Sequence, residues 1–268
     1  MKLGKDSEYI TSYDPKVLDF IPRKDSRNKL THNVFNDKSI YGFDIWNAYE
    51  FSWLDSRGSP ENAVLRIIVP FNSTNICESK SLKIYLGGFA FEKISSIQTL
   101  VETIQNDLSK GTNSVVEIQA LKIDSQELIP VPTKGYDIDL HELKNPTFEY
   151  NNSLLKTGSE HREELLFTNS FRSLCPVTAQ PDWATVSVMY KGQEILPEDL
   201  RKYLVSFRNH QGFHESCCEI IFEDILTICK PEELGVMCCF TRRGGIDISP
   251  IRSNSHTNRL KFCRTVRQ

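Results

Sequence analysis

Apolar positions along the chain fall into two periodicities. Residues 63–69 (AVLRIIV) form a short apolar run stopped by Pro70, which predicts a strand. Residues 183–190 alternate apolar and polar and predict another. Leu82, Tyr85, Leu86 and Phe89 recur at i, i+3, i+4 and i+7, one face of a helix, although Gly87-Gly88 weakens it. Leu100, Ile104 and Leu108 mark a helix over 96–108, which Lys110-Gly111 is expected to end. Strands are predicted over 115–123, 164–174 and 235–241. Pro197, at an early helical position, opens a helix over 197–207. Another helix covers 214–229 and stops before Pro231. Arg242-Arg243-Gly244-Gly245 then turns the chain into a strand over 246–248.

Two stretches are less regular. Residues 1–60 carry Tyr9, Tyr13, Phe20, Tyr41, Phe43, Trp46, Tyr49, Phe51 and Trp53, too many aromatics for an unfolded tail, so this segment is expected to pack. Within it, 55–60 (DSRGSP) reads as a turn. Residues 124–160 are rich in Pro, Gly, Asn and charge and form the best linker candidate, though 136–140 is compatible with a short strand. Strand–helix–helix–strand thus occurs twice. That order predicts an α+β protein of two related modules, with antiparallel sheets and helices on one face. The modules are expected over 1–140 and 161–268, with a linker at 141–160.

Composition narrows the picture. The 268 residues include 32 Lys+Arg and 35 Asp+Glu, a net charge of −3, with 39% hydrophobic residues. This is an ordinary globular mix, and it disfavours a direct nucleic-acid binder, which needs a basic face. No apolar run reaches the roughly 18 residues of a membrane helix. The opening MKLGKDSEYI has no apolar core segment and is not expected to act as a secretory leader. Eight cysteines in a chain of this size suggest reduced thiols and a cytoplasmic location rather than a disulfide scaffold.

The cysteines differ in setting. Cys217-Cys218 and Cys238-Cys239 are adjacent pairs, a poor spacing for zinc, and no HExxH exists. Cys218, Cys229, Cys238 and Cys239 suit burial. Cys175 sits at a turn stiffened by Pro176 and Pro181, with Asp182 seven residues on. A positioned thiolate and an acid flanking one pocket is one reading. A turn cysteine near an aspartate that caps the turn is the other. Cys77 beside Glu78 has the same ambiguity. An aspartate serving as an acid near pH 7 needs a raised pKa. Phe213-His214-Glu215 opens a helix, where ligands bind and caps also form. Arg242-Arg243-Gly244-Gly245 suits a phosphate or simply a hairpin tip. There is no GxGxxG after a strand and no P-loop.

The motifs ESKSLK (78–83), CPVTAQPDW (175–183), YLVSFRNHQGFHE (203–215), FTRRGGIDISPIRSN (240–254) and YGFDIWNAYEFSW (41–53) resemble the NADPH-dependent 7-cyano-7-deazaguanine reductases, in their long, bimodular branch. The resemblance runs from about residue 8 onward. It implies a tunnelling fold (T-fold) of two tandem β-β-α-α-β-β modules. It implies reduction of a nitrile to a primary amine, 7-aminomethyl-7-deazaguanine, with two NADPH and no metal, in queuosine synthesis for tRNA. Cys175 matches the nucleophile that forms a thioimide, and Asp182 the proton donor. Cys77, Glu78, Ser79, His214 and Glu215 match substrate-binding positions. Ser79, Lys80, Arg243 and Gly244 match positions around NADPH. A homodimer is also implied.

Rival readings are a cyclohydrolase-like pterin or purine enzyme on the same fold, which needs zinc ligands, and a non-catalytic interaction module. The intact Cys175, Asp182, Glu215 and Arg243 argue against the second.

Overall fold

A computed structural model describes residues 11–255 and 262–268. Tyr9, the opening segment and the start of the family resemblance lie outside the described residues. In chain order the elements are β1 (Phe20–Pro22), α1 (Lys24–Arg27), β2 (Tyr41–Leu54), β3 (Pro60–Pro70), β4 (Asn75–Cys77), α2 (Ser79–Gly87), α3 (Ile97–Thr112), β5 (Glu117–Leu121), β6 (Tyr136–Asp137), β7 (Thr157–Leu174), β8 (Pro181–Ile195), α4 (Pro197–Val205), α5 (His214–Asp224), β9 (Glu233–Phe240) and β10 (Ile246–Ser253).

The architecture is α+β. Eight strands form one sheet in the order β5-β3-β2-β10-β9-β8-β7-β6. Every neighbouring pair is antiparallel except β6 with β7. A separate two-stranded ribbon joins β1 to β4. Register explains why the helices share one face. Ile67 pairs with Trp46 and Ile248 pairs with Trp46 on the other side, while Cys238 pairs with Val186 and Val188 with Leu166. Because side chains alternate along a strand, these partners point the same way. The first set packs with Leu82, Tyr85, Leu100 and Ile104 of α2 and α3. The second packs with Leu200, Tyr203, Ile221 and Phe222 of α4 and α5. Two apolar cores thus lie under one continuous sheet, and β10 on β2 is the seam between the two halves of the chain, with Ile246 and Ile248 of β10 packed into the first core.

The helices follow their predicted faces. Leu82, Tyr85, Leu86 and Phe89 are all buried, and α2 gives way to a 3-10 turn at Gly88–Phe91, where the two glycines weaken it. α3 does not end at Lys110-Gly111. It runs to Thr112 and closes on Asn113, which takes the left-handed conformation (φ 52°). Gly111 serves packing instead: a Cβ there would stand 1.9 Å from Cζ of Phe20.

β2 had been expected only to pack. It forms a 14-residue strand in the middle of the sheet, buried on both faces over much of its length, so no alternation marks it. The stretch 124–160 is not loose. Tyr136–Asp137 forms the short strand β6, Ile138 and Leu155 enter the core, and β7 already begins at Thr157. Cys218, Cys229, Cys238 and Cys239 are buried, as expected. Among the described residues no helix is long and apolar enough to cross a membrane.

Candidate active site

The site lies at the seam, where four connections meet. β4 ends at Cys77, and Glu78 caps α2 by accepting a hydrogen bond from the Ser81 amide at 2.7 Å. Ser79, Lys80 and Lys83 follow on the first turns of α2. The β7–β8 connection is a closed turn: the Cys175 amide donates to Gln180 O at 2.9 Å, and the Ala179 amide donates to Cys175 O at 2.9 Å. Ala179 accepts left-handed geometry (φ 53°) to close it. Pro181 then starts β8 and sets Asp182 at its mouth. His214 and Glu215 open α5. The β9–β10 turn carries Arg243.

These residues line one cavity of about 230 Å³. Cys175, Asp182, Cys77, Glu78, Ser79, Lys80, His214, Glu215 and Arg243 all border it, with Trp46, Ile76, Phe213, Ile246 and Ile248 as apolar walls. Gly244 does not. It borders an adjacent hollow, and Lys83 lines both spaces.

Electrostatics separates the thiols. Burial pushes Cys77 up to about 12, and Cys217 likewise. Burial also pushes Cys175 up, but hydrogen bonds from the Thr178 hydroxyl and from the Thr178 and Val177 amides outweigh it, and its pKa falls below the usual thiol value. Of the two thiols that border the cavity, Cys175 is the one whose pKa is lowered.

Asp182 is 3% exposed and lies between Arg243 and His214. Arg243 Nη1 donates to Oδ1, and His214 Nε2 lies 3.4 Å from Oδ2. The imidazole is fixed by stacking on Phe240, 3.9 Å between centroids at 15°. Burial raises the carboxyl, yet His214 and Arg243 together hold it below its ordinary value. The raised pKa required of an acid near pH 7 is therefore not found, because His214 and Arg243 together outweigh the cost of burial.

Glu215 is the opposite case. It is 4% exposed, and its Oε1 has no hydrogen-bond partner among the described residues. Burial first, and the charge of Asp44 second, raise it to about 7. An unsatisfied buried carboxyl facing a cavity is an acceptor awaiting donors. At the rim, Lys80, Lys83 and Arg243 gather positive charge. Lys83 is half-buried, and burial with Arg243 nearby lowers its pKa.

Sequence reasoning missed Lys83, Thr178, Trp46 and Phe213. Lys83 was findable, three residues beyond Lys80 and so on the same helix face. Thr178 carried no signal apart from its position in the turn after Cys175.

A lowered thiol, a carboxylate held between Arg243 and His214, and a basic rim border one cavity, the candidate active site of an enzyme on an α+β sheet. Residues 9–120 match the family model described as "Nitrile reductase, 7-cyano-7-deazaguanine-reductase N-term", and residues 181–259 match that of the "QueF-like protein" family. The chain is 42% identical to an NADPH-dependent 7-cyano-7-deazaguanine reductase of Burkholderia ambifaria (strain MC40-6), covering 99% of this chain and 97% of the relative. It is 39% identical to the protein of the same name from Coxiella burnetii (strain RSA 493 / Nine Mile phase I), covering 100% and 96%. The chain belongs to the NADPH-dependent 7-cyano-7-deazaguanine reductase family and is an oxidoreductase.

Proposed function

We propose that the protein reduces the nitrile of 7-cyano-7-deazaguanine to the primary amine of 7-aminomethyl-7-deazaguanine, through a thioimide on Cys175 and with two NADPH. What supports this most is one cavity bordered by a lowered thiol, the Asp182–His214 pair and the unpartnered Glu215 carboxyl.

Glu215 receives the base. The ring N–H and amino groups of a deazaguanine are donors, and the free Oε1 is an acceptor with no competing bond. Glu78 and His214 complete the polar edge, Cys77 and Ser79 border it, and Trp46, Ile246 and Ile248 flank the flat ring.

Cys175 adds to the nitrile carbon, forming a C–S bond while one C–N π bond opens onto nitrogen. The lowered pKa of Asp182 keeps it in the unprotonated form from which it can take up a proton. Its carboxylate takes the Cys175 proton and returns it to the nitrogen, so the thioimide forms without a net proton from solvent. His214 holds Asp182 in place and shares its proton.

NADPH supplies two hydrides, and with two protons they convert the C=N carbon to CH₂–NH₂. Lys80, Lys83 and Arg243 fit its phosphates by charge, with Ser79 and Gly244 alongside. Cys175 leaves after the first reduction, and the apolar walls keep water from the imine.

The tandem T-fold reading draws support from two recurring orders, β2-β3-α2-α3, interrupted only by the ribbon strand β4, and β7-β8-α4-α5, each followed by sheet strands. A homodimer belongs to the same reading, supported by a sheet that stays open at its β5 end.

Incubation with 7-cyano-7-deazaguanine and no NADPH, followed by intact mass, tests the central step. An adduct is expected and should be lost in Cys175→Ala. An unchanged mass, together with no nitrile-dependent NADPH oxidation, overturns it.

A further inference from the structure

Helix α5 carries three buried glutamates one turn apart, Glu215, Glu219 and Glu223, on one face. The lower two are matched from the N-terminal segment. Glu223 accepts from the backbone amides of His32 (3.0 Å) and Val34 (3.2 Å). Glu219 accepts from Arg27 Nε (2.9 Å) and Nη2 (2.7 Å) and from Arg252 Nη2 (2.8 Å), with Arg23 Nη1 at 3.8 Å. Glu215 alone keeps an oxygen unpartnered among the described residues, one turn away from all this positive charge.

Two of these guanidiniums are also held by Asp44 on β2. Asp44 accepts from Arg23 Nη2, and its Oδ1 lies 2.8 Å from Arg252 Nη1. Arg23 Nε is spent on the Ser73 hydroxyl (3.0 Å), and Arg252 Nη1 also donates to the carbonyl of Ile251 (2.9 Å). Asp44 and Glu219 thus engage the buried guanidiniums of Arg23 and Arg252 and the partly exposed one of Arg27, and none pairs with the carboxyl that borders the pocket.

We propose that Asp44, which does not line the pocket, is a positioning residue for substrate: by holding Arg23 and Arg252 it keeps Glu215 open as the acceptor for the base. This rests on the reading of Glu215 as that acceptor. The charged and titratable groups around Glu215 are Asp44 from β2, Arg23 ahead of α1, Cys77 and Glu78 at the end of β4, and His214 and Cys217 on its own helix. Lys80, Lys83, Asp182 and Arg243 line the same cavity. After burial, Asp44 is the strongest influence raising Glu215, while His214 and Arg23 pull it down.

Steady-state kinetics of the full-length protein tests the proposal. Asp44→Asn frees Arg23 to pair with Glu215. The KM for 7-cyano-7-deazaguanine should rise about tenfold, with kcat and the KM for NADPH within about twofold. The acid limb of kcat/KM should move to lower pH, since a negative neighbour is gone. Asp44→Asn/Arg23→Met, which removes the competitor as well, should bring the nitrile KM back to within about threefold of wild type. An unchanged nitrile KM in the single variant, or a double variant no better than the single, overturns the proposal. Should Asp44→Asn fail to fold, Arg23→Met decides: an unchanged nitrile KM with the acid limb moved to higher pH supports it, and a raised KM overturns it. Glu215→Gln separates the two layers. If it binds the nitrile as well as wild type, the acceptor reading itself fails. If it binds weakly while Asp44→Asn binds normally, only the role of Asp44 falls.

Discussion

Asp182 and His214 meet with Nε2 3.4 Å from Oδ2, while Arg243 occupies the other carboxylate oxygen. His214 and Arg243 hold the pKa of Asp182 below the ordinary carboxyl value, so it rests unprotonated and has to take up a proton before it gives one. Asp182→Asn removes that exchange without removing the base acceptor. Single-turnover rates of adduct formation should fall by about 10² to 10³. Nitrile affinity, measured by calorimetry, should change by no more than about threefold. Equal losses of affinity and rate would contradict a proton-transfer role.

Thr178 lowers Cys175 through its hydroxyl and its amide. Thr178→Val deletes the hydroxyl contribution and keeps the shape. The thiol pKa then rises, so less thiolate is present at neutral pH. Adduct formation should slow at pH 7 and recover as pH increases, with the inflection displaced upward. A pH–rate profile coincident with wild type would show that the hydroxyl does not set the thiolate population.

Glu215 links function to stability. Its folded-state carboxyl titrates at about 7 against an ordinary 4.5, so the folded protein binds the proton more tightly. Stability from the protonated acid is complete below pH 4.5 and is lost as pH rises through 7. By this linkage Glu215→Gln should exceed wild type by about 3 kcal/mol at pH 8, an order-of-magnitude figure, and the gap should narrow toward pH 5. Denaturant melts at the two pH values check it. A gap that widens on acidification has the wrong sign for a strained carboxyl.

Lys83 lines both the cavity and the adjacent hollow that Gly244 borders, and under the proposed function its charge serves the cofactor. Lys83→Ala should raise the KM for NADPH about five- to tenfold and leave the KM for the nitrile within about twofold. Added salt should weaken the wild type more than the variant, because it screens the charge the variant has lost. A variant that loses nitrile affinity instead would move Lys83 out of the cofactor reading.

Gly111 is occupied by its neighbour. Gly111→Ala would drive a Cβ into the ring of Phe20, tying α3 to β1. The expected cost is about 1–3 kcal/mol, seen as a lower denaturation midpoint with unchanged slope. An alanine at an open helix position would instead stabilise.

Local pattern made much of this protein legible. The alternation at 183–190 and the spacing of Leu100, Ile104 and Leu108 each mark one apolar face, and a strand and a helix formed there, the helix running past Lys110-Gly111 to Thr112. β2 was not legible because its residues are buried on both sides, which erases alternation. Nor was the seam between β10 and β2, since pairing between distant segments leaves no trace in either one. The candidate residues came from their resemblance to a family, and nine of those ten line one cavity. The low pKa of Asp182 could not be read, because it depends on where Arg243 and His214 come to rest.

The seam also has a consequence for synthesis. The cavity needs side chains from β4, the β7–β8 turn, α5 and the β9–β10 turn, and its halves join only when β10 docks on β2. A nascent chain therefore has no usable pocket until β10 leaves the ribosome. Through that interval β2 waits with one edge bare, paired to β3 but lacking its other neighbour. Slow translation of the last quarter of the message should thus expose the chain to aggregation more than slow translation of the first.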